Sequence, residues 1–358
     1  MKPTSTKSSV TSEAPEINVL SVGSRRLQRC LLVLAAFLVG LLLVEGLCRC
    51  LHLFVPPMLL AKDDIPAAGH PHSPYCRGHF AEENRLWAAK GVPFKELGYR
   101  SPYTLATATN GVLVLGDSFA FAQGVREGFA ELLQQSLAPQ PVVNLGVDGA
   151  GLDNMAYQLR NFVDALKPRL VICAVYADDL RRQQPDFMLT RNRPVGCLRA
   201  GQLTFLPASE ALPHPFLYYH SRVYQIDNYI LRKRREQLAA NLLTFGPLYS
   251  FNDTLLLEMK SLCQQHNSQF MVMFIPMYYI IMSNSFVKKF AEPVALRRMC
   301  RLHQIPFLDL TPSLQDQTAS FYLSLPNDRH FNEKGHRSAF DQLRQFINAN
   351  HLLEPTAQ

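Results

Sequence analysis

Several features that would announce a function are missing from this chain. Its eight cysteines form no CxxC pair, and no cysteine–histidine cluster has zinc-ligand spacing, which removes structural zinc modules from consideration. There is no internal repeat and no low-complexity tract, so solenoid and fibrous architectures are excluded. Strong charge is lacking too: Lys+Arg number 36 against 29 Asp+Glu, a formal net charge of +7. The surplus is scattered, its densest run is Arg232-Lys233-Arg234-Arg235, and no nucleic-acid-binding motif accompanies it. Nucleic acid is therefore not an expected partner. The run reads as a solvated helix face or as a surface facing an anionic polymer or lipid. Long polar stretches are also absent. With 47% hydrophobic and 18% charged residues among 358, the chain can bury a sizeable core.

What the chain does have is one long apolar run near its start. Residues 30–44 (CLLVLAAFLVGLLLV) carry no charge, and after Glu45 and Arg49 the stretch Leu51–Val55 is mostly apolar again. About 20 apolar residues cross a bilayer core, so the run suffices if Glu45 sits near the interface. A cleaved signal peptide is the rival reading. It requires a small-x-small site after the apolar stretch, and Val44-Glu45-Gly46-Leu47-Cys48 is a poor one; Leu47 is also too large for a lipoprotein cleavage box. The preferred reading is an uncleaved anchor. Arg25, Arg26 and Arg29 precede the run, and only Arg49 and Lys62 follow closely, which predicts a cytoplasmic N-terminus and an extracytoplasmic, in a bacterium periplasmic, main part.

This divides the chain into a cytoplasmic tail (1–27), a transmembrane anchor (28–55), an irregular juxtamembrane region rich in Pro, His and Gly (56–100) and one large domain (101–358). Of the exported cysteines, Cys173 lies in an apolar strand and reads as core, and spacing fixes no disulfide. From residue 111 short apolar runs alternate with helical patterns. Strands are expected at Val112–Leu115, Val142–Leu145, Leu170–Val175, Phe270–Ile275 and Pro306–Leu308. Helices are expected at Glu131–Leu137, Asp153–Leu166, Leu255–His266 and Glu333–Ile347. That rhythm predicts an α/β fold with a parallel sheet covered on both faces. The stretch 181–250 breaks it and reads as an insertion carrying one basic helix near 224–240. Phe270–Met282 is too short for a second span and reads as a core strand with its exit.

The first strand ends Val112-Leu-Val-Leu-Gly-Asp-Ser118-Phe. A serine two residues beyond the strand, at a helix start, sits where open α/β sheets hold their ligands and where the helix N-terminus favours developing negative charge. Asp117 or Ser118 could equally be an ordinary N-cap. Far downstream, Asn327-Asp-Arg-His330-Phe-Asn-Glu-Lys-Gly-His336 puts Asp328 two residues before His330, in a loop ahead of the last helix. A serine hydroxyl needs a base, and the base needs an orienting partner; His330 and Asp328 can supply both. His336 reads as a helix-face residue rather than a second base.

These segments resemble the sequence blocks of the SGNH/GDSL hydrolases. Gly116-Asp-Ser118-Phe is similar to the first block. Asn144-Leu-Gly-Val-Asp-Gly149 is similar to the second, whose glycine N–H donates to the oxyanion. Tyr176-Ala-Asp178-Asp179-Leu is similar to the third, and Asp328-Arg-His330-Phe-Asn to the fifth. Order and spacing agree over about residues 97–348, and Leu97-Gly-Tyr-Arg100 is similar to the lead-in of membrane-anchored members. The resemblance implies a flavodoxin-like three-layer parallel sheet behind one transmembrane helix. It implies Ser118 as nucleophile, His330 as base and Asp328 as its orienter, with the oxyanion held at Ser118, Gly149 and position 178, and no metal or organic cofactor.

Two departures stand out. Asp178 occupies the usual asparagine position, where an ionised carboxylate would repel an oxyanion; loss of one such donor removes about 3–4 kcal/mol of transition-state stabilisation. Asp178 would have to be protonated, turned away or replaced by a donor such as Asn154. One residue rather than two separates Asp328 from His330, while Asn327 has the longer spacing. The expected activity is acyl-ester hydrolysis or O-acyl transfer on a lipid or a cell-envelope or exported glycan. The alternative, motivated by Asp178, is an inactive SGNH-like envelope protein that binds glycan or scaffolds a complex.

Overall fold

The computed structural model describes residues 19–51, 100, 102–103, 107–147, 149–182, 194–207, 214–227, 247–277, 291–314, 318–324 and 328–354. Most of the expected tail and juxtamembrane region, the Arg232–Arg235 run, all but the start of the expected 224–240 helix, and Asn327 lie outside the described residues.

The chain opens with helix α1 (Val19–Cys50). Within it, Arg26–Cys50 is 25 residues long and buries none of its apolar window against the rest of the molecule. At 1.5 Å per residue it reaches roughly 37 Å, more than the ~30 Å of a bilayer core. It is thus one N-terminal helix long and apolar enough to span a membrane.

The body then runs β1 (Val112–Gly116), α2 (Ser118–Phe121), α3 (Phe129–Leu137), β2 (Val142–Asn144), α4 (Leu152–Leu166) and β3 (Leu170–Tyr176), with a 3₁₀ turn over Ala177–Arg181. A hairpin β4 (Pro194–Arg199) and β5 (Gln202–Pro207) and helix α5 (Pro215–His220) follow. Then come α6 (Pro247–Gln265), β6 (Gln269–Ile275), α7 (Ala291–Leu302), β7 (Phe307–Asp309), α8 (Thr311–Leu314), β8 (Tyr322–Ser324), β9 (Asp328–Phe331) and α9 (Glu333–Ala349). β2, β1, β3, β6 and β7 form one all-parallel sheet in that order, the flavodoxin-like arrangement.

Side chains of a strand alternate between faces, and each face here is apolar. Leu113, Leu115, Val171, Cys173, Val272 and Phe274 pack with α4, α6 and α7. Val112, Val114, Ile172, Ala174, Met271 and Met273 pack with α3 and α9. This two-sided burial is why the strands read as continuous apolar runs. Phe270–Ile275 lies in β6, a buried core strand rather than part of a second span.

Three elements differ from the sequence reading. α6 starts at Pro247, eight residues early, because Asn252 is buried and its Nδ2 donates to Leu180 O at 2.9 Å; Pro247, Ser250, Asn252 and Asp253 interrupt the apolar spacing of its first turns. α7 was not anticipated, since Arg297, Arg298 and Arg301 dilute its pattern, yet Ala295, Leu296, Met299 and Cys300 are buried at helical spacing. Part of the stretch read as an insertion is the β4–β5 hairpin, seated on α4 by Gly196 N–H donating to Asp153 Oδ2 at 3.0 Å.

Candidate active site

β1 ends at Gly116 because nothing larger fits: a Cβ there would lie 2.5 Å from Ala120 Cβ and 2.9 Å from Ala174 O. The chain can therefore turn tightly into α2. Asp117 is the N-cap, its Oδ1 accepting from Phe119 N at 2.9 Å. Ser118 is the first helical residue and only 3% exposed. A second close approach holds α2 from the side, since a Cβ on Gly146 would lie 2.4 Å from Phe121 N. Arg100 staples its far end by donating to the carbonyls of Phe121 and Ala122 at 2.8 Å each and to that of Arg126, while ion-pairing with Glu131 at 3.0 Å.

His330 reaches Ser118 from the other end of the chain, with Nε2 lying 2.9 Å from Ser118 Oγ. The sequence reading put His330 in a loop. The structure instead places it in β9, paired antiparallel with β8. The reason is Asn332: its Nδ2 donates to Ser320 O (2.8 Å) and Tyr322 O (3.0 Å), and its Oδ1 caps α9 by accepting from Lys334 N and Gly335 N. The Phe119 ring stacks on Tyr176 at 4.6 Å between centroids and packs against His330 (5.3 Å) and Phe331 (4.9 Å), walling the imidazole on one side. The Asp328 backbone belongs to β9, whereas its side chain lies outside what is described.

Arg182 is the residue the sequence reading missed. Its Nη1 donates to Asp117 Oδ2 at 3.0 Å, Ala150 O at 3.1 Å and Asp179 Oδ1 at 2.8 Å, and its Nε lies 3.4 Å from Asp178 Oδ2. One guanidinium thus ties the segment before Ser118, the loop beside Gly149 and the turn after β3. The i+3 and i+4 spacing from Asp179 and Asp178 was the available clue. Asp117 and Asp179 have fully buried carboxylates. Burial, reinforced by the charge of Asp117, pushes the Asp179 carboxyl well above the usual carboxylate range, with Arg182 opposing. Burial works against the charge on Arg182, but Asp179, Asp117 and Asp178 together hold it more firmly protonated than a free guanidinium.

The remaining sequence-predicted residues divide. Asp178 is turned onto Arg182. Gly149 sits in a left-handed turn at φ +70°, a conformation that favours glycine. Asn154, considered as a replacement donor, uses its Oδ1 to accept from Gly151 N at 3.0 Å and so caps α4. His336 is buried on α9, stacked with Phe129, its Nδ1 3.4 Å from Phe129 N; burial first, then Arg100 and His330, bring its pKa down to about 3. It lies on a face of α9, as expected, but that face is buried in the core. Among the described residues no group of three His, Cys, Asp or Glu side chains is placed to hold a metal ion.

The sequence pattern of the GDSL-like lipase/acylhydrolase family matches residues 114–338, from within β1 through the His330 segment. The chain belongs to this family. Its Ser118–His330 pair joins two segments that family membership brings into one match. Among solved structures, the esterase EstA from Pseudoalteromonas sp. is similar at 14% identity and a TM-score of 0.40, covering 68% of this chain and 98% of its own. A catalytic mutant of the acetylxylan esterase Axe2 from Geobacillus stearothermophilus is similar at 16% identity and a TM-score of 0.39, covering 66% and 94%. TesA is similar at 12% identity and a TM-score of 0.42, covering 67% and 98%. No curated protein sequence matches the chain.

Proposed function

We propose that this protein is a serine-dependent acyl-ester hydrolase or O-acyltransferase. It would be anchored by α1 with its N-terminus in the cytoplasm and its catalytic body outside, in the periplasm of a bacterium, where lipid or glycan esters are its substrates. The observation that carries the reading is the 2.9 Å contact between Ser118 Oγ and His330 Nε2, the distance of a nucleophile to its general base. His330 takes the hydroxyl proton as Ser118 attacks the ester carbonyl, and the N–H groups of Ser118 and Gly149 receive the oxyanion. The alcohol leaves with the proton from His330. Water or a sugar hydroxyl then attacks the acyl-serine, its proton passing to His330, and the acyl–Oγ bond breaks as Ser118 Oγ takes that proton back. Asp328 orients the imidazole in this scheme.

The test is fluorophosphonate labelling of the full-length protein with the modified residue mapped by mass spectrometry. Labelling at Ser118 that is lost in His330→Ala supports the pair. Absence of labelling in folded protein overturns it. One observation favours a second reading: Asp178 stands as a carboxylate in an ion pair where the resemblance calls for an amide donor. A domain that binds a glycan without cleaving it would leave Ser118 unlabelled. Trapped acyl-enzyme partitioning to a glycan rather than to water separates transferase from hydrolase.

A further inference from the structure

We infer that the segment around α5 is a second membrane contact: it lies in the bilayer interface beside the exit of α1, with Phe216 and Leu217 in the lipid, clamped there by Glu45. The inference rests on reading α1 as a membrane helix. From Arg26 to Glu45 is 19 residues, roughly 28 Å of helix, which brings Glu45 to the far boundary of a ~30 Å hydrocarbon core. A carboxylate there is unfavourable unless its oxygens are satisfied. Glu45 has four donors. Ser221 Oγ lies at 3.1 Å, Arg222 N at 2.9 Å and Val223 N at 3.0 Å, all more than 170 residues away in sequence, and Arg49 Nε lies at 2.8 Å. Arg49 also donates to the His220 carbonyl. Ser221 in turn accepts from Tyr224 N at 3.1 Å, so Glu45 is bonded to the start of the helical stretch 222–227.

The level of α1 at Glu45 and Arg49 therefore fixes the level of residues 220–223. Phe216 stands directly beside them, its ring 4.6 Å from that of His220. It is 72% exposed and its neighbour Leu217 42% exposed. Two large apolar side chains held at the mouth of an apolar helix are where an interfacial segment buries its face, about 5–10 Å into the headgroup boundary. Arg49 beside them, more than half exposed, suits the phosphate layer. The lipid surface is thus the occupant that accounts for both the clamp and the exposed Phe216 and Leu217 side chains. The consequence is that the body is held at one orientation on the membrane rather than swinging on a tether.

The experiment uses the full-length protein in phosphatidylcholine–phosphatidylglycerol vesicles. The single native tryptophan is removed by Trp87→Phe, and an indole is introduced by Phe216→Trp, at an exposed position that tolerates it. Phosphatidylcholine brominated near the headgroup end of its acyl chains should quench most of this emission. In a parallel protein Leu42→Trp, three residues or about 4.5 Å below Glu45 on α1, should be quenched by lipid brominated midway along its acyl chains. Adding Glu45→Gln should abolish quenching at position 216 and leave that at position 42. Emission from position 216 that bromolipid does not quench, while position 42 is quenched, overturns the inference and leaves the span standing. An indole at 216 shielded from iodide yet insensitive to bromolipid means protein covers Phe216, and overturns it equally. Failure of quenching at position 42 removes the span itself. Quenching at 216 unchanged by Glu45→Gln overturns the clamp.

Discussion

At the scale of single residues, the candidate chemistry depends on two contacts. Ser118→Ala should lower ester turnover by at least about 10³-fold while leaving the melting temperature close to that of the parent, because only a hydroxyl is removed; a rate above that would reject the nucleophile. Arg182 makes the second. Arg182→Met leaves the buried carboxylates of Asp117 and Asp179 without their shared cation. Breaking a buried pair from one side typically loses about 3–5 kcal/mol, which a urea titration of the variant would register as a lowered midpoint. Asp178 is only partly buried, so its replacement is milder. Asp178→Asn removes a negative charge from the oxyanion side and restores an amide donor. It should raise kcat by roughly tenfold or more if that position faces the developing charge, given the 10²–10³-fold weight of one such donor. An unchanged kcat would mean that the side chain serves Arg182 alone.

At the scale of elements, α2 is positioned by close backbone approach rather than by its own stability, for four residues cannot sustain a helix. Gly146→Ala places a methyl 2.4 Å from Phe121 N and against Ala120, so either the β2 loop or α2 must move. The expected result is a loss of about 1–3 kcal/mol together with weaker fluorophosphonate labelling of Ser118; full labelling at parental stability would show that the loop yields freely. The β8–β9 ribbon has the matching role for His330. It is short, and Asn332 ties it to both the 320–322 segment and the start of α9. A strand of four residues with one apolar member in the core, Phe331, carries too little pattern to be told from a loop by sequence, which is why it was read as one. The same dilution hid α7 behind its arginines, whereas the strands of the sheet, apolar on both faces, were legible to within a residue or two.

At the scale of the whole molecule, the parallel order brings the carboxyl ends of β1 and β3 to one edge, and the site assembles there from segments more than 200 residues apart. The core that α9 closes includes the neutral His336. The folded protein keeps it uncharged down to about pH 3, while the unfolded chain takes up a proton near 6.5. Its contribution to stability is therefore complete above pH 6.5 and is lost as pH falls from 6.5 toward 3, by up to roughly 1.4 kcal/mol per pH unit. Burial pushes the Glu131 carboxyl up and the Arg100 guanidinium down from their ordinary values, and parent and variant share both groups, so the difference between the two proteins is the informative quantity. Melting temperatures of the parent should fall more steeply with acid than those of His336→Leu; parallel slopes would show that the histidine is protonated in the fold.

By sequence alone, the α/β class, the apolar helix at the start, and the candidates Ser118 and His330 were determined, because each rests on a local property: two-sided burial makes apolar strands, a span needs an uninterrupted run, and the two candidate residues sit in short motifs. Tertiary structure decided what depends on partners distant in the chain. It joined Ser118 to His330, gave Asp117, Asp178 and Asp179 one shared guanidinium on Arg182, and turned Glu45 from an interruption of the apolar run into a hydrogen-bonded clamp. A charged or polar side chain looks the same in sequence whether it faces water or a buried counterpart, and only the folded chain supplies the group that satisfies it.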